Sequence, residues 1–407
     1  MRVVALGGAG DMGRHAVRTA VKYDFVDEIV VADLELAAAE RVAGRTGSKA
    51  RAVAVDAADP ASLRDLLRGA DVVLNTVGPF YRFGVPILEA AIDAGCHYLD
   101  ICDDWEPTLA MLELDSRARN AGVTAIVGVG ASPGVSNLLA AKAISRLDAV
   151  EEVITGWGLS ATDTESDEDT GGEEGGARGS EAHQPSAAIV HWMHQCSGTI
   201  RVRRSGRFED VKPVQEMQID YPGIGVGTAW SVGHPEAVTL PLTYTEIQNS
   251  TNVMVGPRFL IEAVRALGAA IDTGDLSVEE AAIQMAGPVP PELREAAASE
   301  RGGVRLPPLF ALARGRRGSE SVDLGALVLG MPAGGMGGAT GVPLAVGLSL
   351  FAQGRLEKRG VFAPEGIIDP DAFFDALAPL CSPAFGSGRE MLAIAESGGD
   401  GAAGDVA

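Results

Sequence analysis

Arg2–Leu6 is a short apolar run, and Gly7-Gly8-Ala9-Gly10-Asp11-Met12-Gly13 follows it directly. The pattern Gly8-x-Gly10-x-x-Gly13 constrains this chain more than any other stretch. A tight turn out of a strand needs no Cβ at Gly8. Close approach of a pyrophosphate to backbone N–H groups needs none at Gly10, and close packing of the following helix on the strand needs none at Gly13. An amphipathic run over residues 12–23 supplies that helix, and its N-terminus would face phosphate. A second strand over 28–32 ends in Asp33, twenty positions beyond Gly13, the spacing expected of a carboxylate on adenosine ribose hydroxyls. Gly8, Ala9, Gly10, Asp11, Met12, Gly13 and Asp33 are therefore candidate cofactor-binding residues. Asp33 would repel a 2′-phosphate, and Leu34-Glu35-Leu36 supply no arginine to neutralise one. NAD is the favoured cofactor; NADP stays possible through Arg41 or another loop.

From residue 1 to about 130, short apolar strands alternate with helical stretches across short connections, as a doubly wound parallel sheet requires. The pattern predicts a helix at 35–43, a strand at 51–55 leading to Asp56, a helix at 61–68 and a strand at 71–74. Open α/β sheets bind ligands at the carboxyl ends of their strands. Asp56 is on that ground a candidate for adenine contact, the alternative being a cap or turn residue before Asp59-Pro60. Asn75, Thr76, Val77, Gly78 and Pro79 form a loop expected beneath the ribose and nicotinamide, with Gly78-Pro79 preventing a helix from starting there. A helix at 85–94, a strand at 97–99, a long helix at 106–121 and a strand at 123–127 complete six strands. Asp100-Ile101-Cys102-Asp103-Asp104 follows the fifth strand. Hydride exchange with a nicotinamide requires an acid or base for the accompanying proton, and Asp100, Cys102, Asp103 and Asp104 are the candidates, Asp100, Cys102 and Asp104 foremost. The alternatives are helix capping by Asp103 or Asp104 and a small buried hydrophobe at Cys102.

A chain of 407 residues exceeds what one core usually supports, so a second domain is expected. A formal charge of -22 without a basic run argues against nucleic acid or an anionic membrane as partner. Cys96, Cys102, Cys196 and Cys381 form no CxxC pair, and the chain opens directly on a strand. A reduced, cytoplasmic protein is expected. No window of about eighteen residues is free of glycine and charge, so no membrane span is expected.

The exit segment Gly128 to Asn137 marks the domain boundary, and residues 131–334 read as an inserted α+β substrate domain. A strand at 153–159 precedes 160–184, a stretch of Asp, Glu, Gly and Ser too poor in apolar residues to offset its ordering entropy; a mobile acidic loop is expected. A helix at 187–195, a hairpin of 199–203 with 207–211, strands at 226–232 and 240–248, and helices at 259–267 and 278–285 follow. His191 and His194 share a helix face, but no further ligand is placed beside them and no metal is assigned. Arg201, Arg203, Arg204 and Arg258 are candidates for a bidentate carboxylate clamp, or else solvated surface. His234, before Pro235-Glu236, either lines a cleft or shapes a turn. The glycines of 330–338 suit a hinge or a backbone pressed on a ligand, the alternative being a plain flexible connector. The apolar run 342–351 is too rich for an exposed tail, so 335–395 is expected to rejoin the first domain, 1–130. Residues 397–407 are mostly Gly, Ala and Asp and are expected to be disordered.

Several motifs occur in one order: the Gly8/Gly10/Gly13 turn, Asn75-Thr76-Val77-Gly78-Pro79, Ala94-Gly95-Cys96-His97-Tyr98-Leu99-Asp100 and Ser132-Pro133-Gly134-Val135-Ser136-Asn137. Together they resemble the saccharopine dehydrogenase (saccharopine reductase-like) family, and Thr340-Gly341-Val342-Pro343-Leu344-Ala345 with Gly360-Val361-Phe362-Ala363-Pro364-Glu365 resembles its C-terminal return. The resemblance implies an α/β fold: a Rossmann-like doubly wound parallel sheet, an inserted α+β domain, and a C-terminal return to the first domain. It also implies NAD(P) and chemistry at a carbon–nitrogen bond of an amino acid, opine or imine-like small molecule. Ser132, Pro133, Gly134, Asn137 and Arg258 become candidate substrate contacts, and a homodimer is expected. Reduction of a carbon–carbon double bond in a lipid-like substrate is the alternative among enzymes, and a non-catalytic dinucleotide sensor the alternative outside them.

Overall fold

The computed structural model describes residues 1–158, 187–287 and 303–397. It divides into two compact units, one of residues 1–141 with 328–393 and one of 142–327 with 394–407. The stretch 160–184 lies outside the described residues, as does 398–407 of the tail; Ser397 is described, its Oγ accepting from Asp323 N at 2.9 Å.

The first unit opens β1 (Arg2–Leu6), α1 (Asp11–Ala20), β2 (Glu28–Asp33), α2 (Leu36–Thr46), β3 (Ala50–Ala54), α3 (Pro60–Leu67) and β4 (Val72–Asn75). It continues α4 (Phe80–Ala94), β5 (His97–Asp100), α5 (Trp105–Leu112), α6 (Asp115–Asn120), β6 (Thr124–Ile126) and α7 (Val135–Ile144). Val3, Val4, Val30, Val31, Val72 and Val73 are fully buried, as strands covered on both faces require. Two local expectations change. Gly78-Pro79 does not hold off a helix: Pro79, extended at φ -76° and ψ 143°, is the N-cap of α4 itself, a geometry its ring pre-sets. The stretch 106–121 is two helices, because Asp115 begins a new one and holds Val361 N at 3.1 Å.

The second unit comprises β7 (Ala149–Gly158), α8 (Ala187–Gln195), β8 (Ile200–Arg204), β9 (Arg207–Val211), β10 (Glu216–Tyr221), β11 (Gly225–Val232), α9 (Glu236–Thr243) and β12 (Asn249–Val255). α10 (Arg258–Thr273), α11 (Val278–Met285), β13 (Leu309–Arg317) and β14 (Glu320–Val328) follow. The β8–β9 hairpin turns on Ser205 and Gly206, both at positive φ, as a two-residue turn demands. Of the strand expected at 240–248, residues 240–243 are the end of helix α9 and the rest is turn before β12; Pro241 could not have donated to a central ladder. Trp230, Val232 and Met254 on one sheet face pack with Met193, Ile261, Val264 and Ala281 of the helices. Ile154, Tyr221, Phe310 and Leu312 form a second cluster.

The chain then returns through α12 (Gly335–Ala352), β15 (Gly360–Phe362), α13 (Pro370–Leu377), α14 (Gly388–Met391) and β16 (Leu392–Glu396). β15 pairs with β6, so the first unit's sheet runs β15-β6-β5-β4-β1-β2-β3, all parallel, with its order reversing between β1 and β4. The second sheet runs β10-β11-β12-β7-β13-β14-β16 with the β8–β9 hairpin on β12. Gly337, within the glycine stretch of 330–338, and Gly341 just beyond it admit another helix: a Cβ on Gly341 would stand 3.0 Å from Ala16 N and closer still to Met12 O, and one on Gly337 2.7 Å from Asp11 Oδ1. By length and composition α12 could cross a bilayer, although 72% of it is buried within the protein.

Candidate active site

At the end of β1 the chain turns on Gly7 (φ +73°), and Gly7 N and Gly8 N both donate to Ala32 O at 2.9 and 3.2 Å. Two of the three motif glycines are required by packing. A Cβ on Gly8 would stand 2.7 Å from Ala5 O, and one on Gly13 2.8 Å from Gly8 Cα and Thr76 Oγ1. Gly10 differs: beyond its chain neighbours, a Cβ there would meet only Gly7 O, at 3.2 Å. Space is kept at Gly10 on the side a pyrophosphate would approach, so the cradle fits a dinucleotide. Asp33 reaches this loop, Oδ2 accepting from Ala9 N at 3.1 Å and Oδ1 from Glu35 N at 3.4 Å. Asp11 pairs with Arg14 at 2.6 Å, and Met12 carries the carbonyl against which Gly341 packs. Thr76 Oγ1 contacts Leu6 O at 3.1 Å and Gly7 O at 3.0 Å, tying the end of β4 to the cradle. Asp56 is exposed and shapes its own turn, accepting from Ala58 N at 2.8 Å, while Asp59 caps α3.

At the neighbouring strand ends one carboxylate gathers several donors. Asp100, fully buried, accepts at Oδ1 from Cys102 N (3.0 Å) and Gly128 N (2.7 Å) and at Oδ2 from Tyr98 OH (2.6 Å). The Tyr98 oxygen accepts from Asn75 Nδ2 at 3.0 Å, and Asn75 Oδ1 accepts from Val77 N at 3.0 Å. Burial pushes the Asp100 carboxyl up to about 7 against the pull of these hydrogen bonds. Cys102 is buried too; desolvation, then Asp100 and Asp104, hold its thiol well above the ordinary range. Asp100 is engaged by protein donors at both carboxylate oxygens, and Cys102 is held as a thiol. Asp104 stands at the N-cap of α5 without a side-chain capping bond, contrary to the capping alternative.

The exit loop is likewise occupied with itself. Gly134 (φ +122°) donates to Asn137 Oδ1 at 2.9 Å, and Asn137 Nδ2 donates to Glu365 at 2.8 Å. Pro133, after a cis peptide from Ser132, packs where a Cβ on Gly128 would meet its Cγ at 2.6 Å. In the second unit, Arg258 pairs with Glu216 at 3.1 Å and lies 5.7 Å over the Trp230 ring, while Arg201 is held bidentately by Asp210.

The sequence reading passed over Glu236. It is fully buried, 2.7 Å from His234 Nδ1, and the His234 ring lies 5.7 Å from that of His191 and 6.0 Å from Trp157. The available signal was an acid two residues after a histidine, at the start of a helix whose other residues are almost all apolar.

A parallel sheet reversing beside a glycine cradle, with an acid at the end of β2, defines a dinucleotide-binding protein of two units. Residues 3–126 match the family model of the saccharopine dehydrogenase NADP binding domain. Carboxyaminopropylagmatine dehydrogenase of Synechocystis sp. is 25% identical over 415 residues, covering 94% of this chain and 96% of its own. The solved saccharopine dehydrogenase (L-Glu forming) of Saccharomyces cerevisiae matches 97% of this chain and 99% of its own with a TM-score of 0.61 at 17% identity. Homospermidine synthase of Legionella pneumophila, solved with NAD, matches 93% and 89% with a TM-score of 0.54 at 12% identity. The two structural likenesses speak to the fold. The chain is an NAD(P)-dependent oxidoreductase whose residues 3–126 form a domain of the saccharopine dehydrogenase NADP-binding type.

Proposed function

We propose that the protein is a dehydrogenase or reductase acting on the carbon–nitrogen bond of a substrate derived from an amino acid or polyamine, with NAD preferred over NADP. The observation that carries this reading is the likeness to a carboxyaminopropylagmatine dehydrogenase across 94% of the chain, hence across both units. The N-terminus of α1 and the backbone at Gly10 receive the pyrophosphate. Asp33, at the end of β2, would accept from the ribose hydroxyls. The loop Asn75 to Pro79, beside the reversal in strand order, lies along the other half of the ligand. When bound, the nicotinamide supplies hydride exchange. With Asp100 engaged by the loops and Cys102 held as a thiol, Asp104 is the candidate for the proton within the nucleotide-binding unit.

The purified protein, supplied with NADH or NADPH, should oxidise it when given an aldehyde or 2-oxo acid together with an amine such as lysine, agmatine or putrescine. Either partner alone should support no turnover. Turnover only on an enoyl thioester, or dinucleotide binding with no turnover on any amine–carbonyl pair, would overturn the proposal.

A further inference from the structure

The bonds around Asp100 run in one direction. Val77 N–H donates to Asn75 Oδ1, Asn75 Nδ2 to the Tyr98 oxygen, and Tyr98 O–H to Asp100 Oδ2; Cys102 and Gly128 donate to Oδ1. Val129 N also donates to the Asp100 carbonyl at 2.7 Å. Donors from β5 and from the segments after β5 and β6 thus converge on Asp100, with Asn75 at the end of β4 joined through Tyr98, and Asn75, Tyr98 and Asp100 are all fully buried. Reversing any link is costly. If Asp100 offered a proton toward Tyr98, the tyrosine hydrogen would need a new acceptor. Asn75 could provide one only by flipping its amide and abandoning Val77 N.

We infer that Asp100 is a positioning residue: its carboxylate, through Tyr98 and Asn75, fixes the loop Asn75 to Pro79 and the Gly128 segment that receive the nicotinamide half of the dinucleotide. The inference rests on dinucleotide binding and is independent of which substrate is reduced. The ligand half follows from the fold: these loops leave strands at and beyond the reversal between β1 and β4, whereas Asp33 serves the opposite, adenosine side. The titratable groups facing the Asp100 carboxylate are Tyr98, Cys102 and Asp103. β4 contributes the amide of Asn75, the segment after β6 contributes backbone N–H groups, and α12 brings Gly347 against Leu99 and Val129.

Two variants test the chain at different links. Asp100→Asn keeps size but puts a donor where an acceptor is needed; Tyr98→Phe removes the link to Asn75 and leaves the Cys102 and Gly128 bonds intact. ADP-ribose reports the adenosine half by calorimetry, and the emission of bound NADH reports the nicotinamide environment. Both variants should bind ADP-ribose within about twofold of wild type and NADH about fivefold more weakly, the scale of one hydrogen bond, with bound-NADH emission shifted toward that in water. In wild type that emission should titrate with one ionisation that Asp100→Asn lacks. Wild-type NADH affinity and emission in both variants would overturn the inference. So would equal loss of ADP-ribose and NADH in Tyr98→Phe, which would make the network general support for the unit. Failure of every amine substrate would leave these readings untouched.

Discussion

Two helix glycines should respond to alanine in opposite directions, and the difference measures how tightly the C-terminal return is built into the nucleotide-binding unit. Intrinsic propensity favours alanine over glycine by about 1 kcal/mol at an interior helical position. Gly44 of α2 has nothing within 4 Å of a Cβ, so Gly44→Ala should realise most of that gain. Gly341 of α12 would place its Cβ 3.0 Å from Ala16 N and from His15 Cβ, and nearer to Met12 O. These are backbone atoms of α1 and the root of a buried side chain, and α1 cannot retreat without moving the cradle. Overpacking of this kind costs about 1–3 kcal/mol, enough to exceed the propensity gain. At about 2–4 °C per kcal/mol for domains of this size, the transition of the nucleotide-binding unit should fall in Gly341→Ala and rise by about 2–4 °C in Gly44→Ala. That transition is the one that moves with added ADP-ribose. Gly341→Ala should also weaken ADP-ribose, since the displaced turn of α1 carries the cradle. A Gly341→Ala protein that melts at or above wild type would refute the packing argument.

Replacing Asp33 with Asn or Ser removes a fixed charge from the adenosine side, so the ratio of NADPH to NADH affinity should rise; a wild-type protein that already prefers NADPH would contradict the assignment. Asp100 should leave a signature in stability against pH. Its carboxyl is raised from 3.8 to about 7 on folding, so the folded chain holds a proton the unfolded chain has released. The stability this lends is complete below pH 3.8 and is lost as pH rises through 7. Urea midpoints of Asp100→Asn against wild type from pH 4 to 8 should converge with that slope, and a pH-independent difference would exclude it.

What could be read from the sequence was what local spacing encodes. Gly8, Gly10, Gly13 and Asp33 are separated by distances that a strand, a turn and a helix impose, and a parallel sheet leaves runs such as Val3-Val4 and Val72-Val73 in plain view. β13 does not show in the sequence as a half-buried strand because one buried on both faces lacks alternation: Leu309 to Ala313 is buried at every position. The stretch 240–248 reads as a strand, yet Pro241 within it lies inside helix α9. The cluster from Asp100 to Asp104 was conspicuous as charge, but its roles were not legible. Asp100 is committed through Tyr98, Asn75 and Gly128, and the links to Asn75 and Gly128 span 25 and 28 positions.

The glycines of 330–341 show why composition alone left the last step open. A glycine serves flexibility or contact, and only the neighbouring atoms decide which. Gly334 and Gly335 use left-handed φ of +100° and +58° to enter α12, whereas Gly337 and Gly341 use the missing Cβ to press that helix on Asp11 and Met12. The cradle is therefore braced from both ends of the chain. β2 supplies Asp33 to the loop, and α12, more than three hundred residues later in sequence, sets how far the first turn of α1 can move. β15 extends the same sheet beside β6, next to the strand that delivers Gly128 to Asp100. Substitutions in the return segment should consequently be felt as changes in dinucleotide affinity, by way of α1 and β6, without touching the ligand.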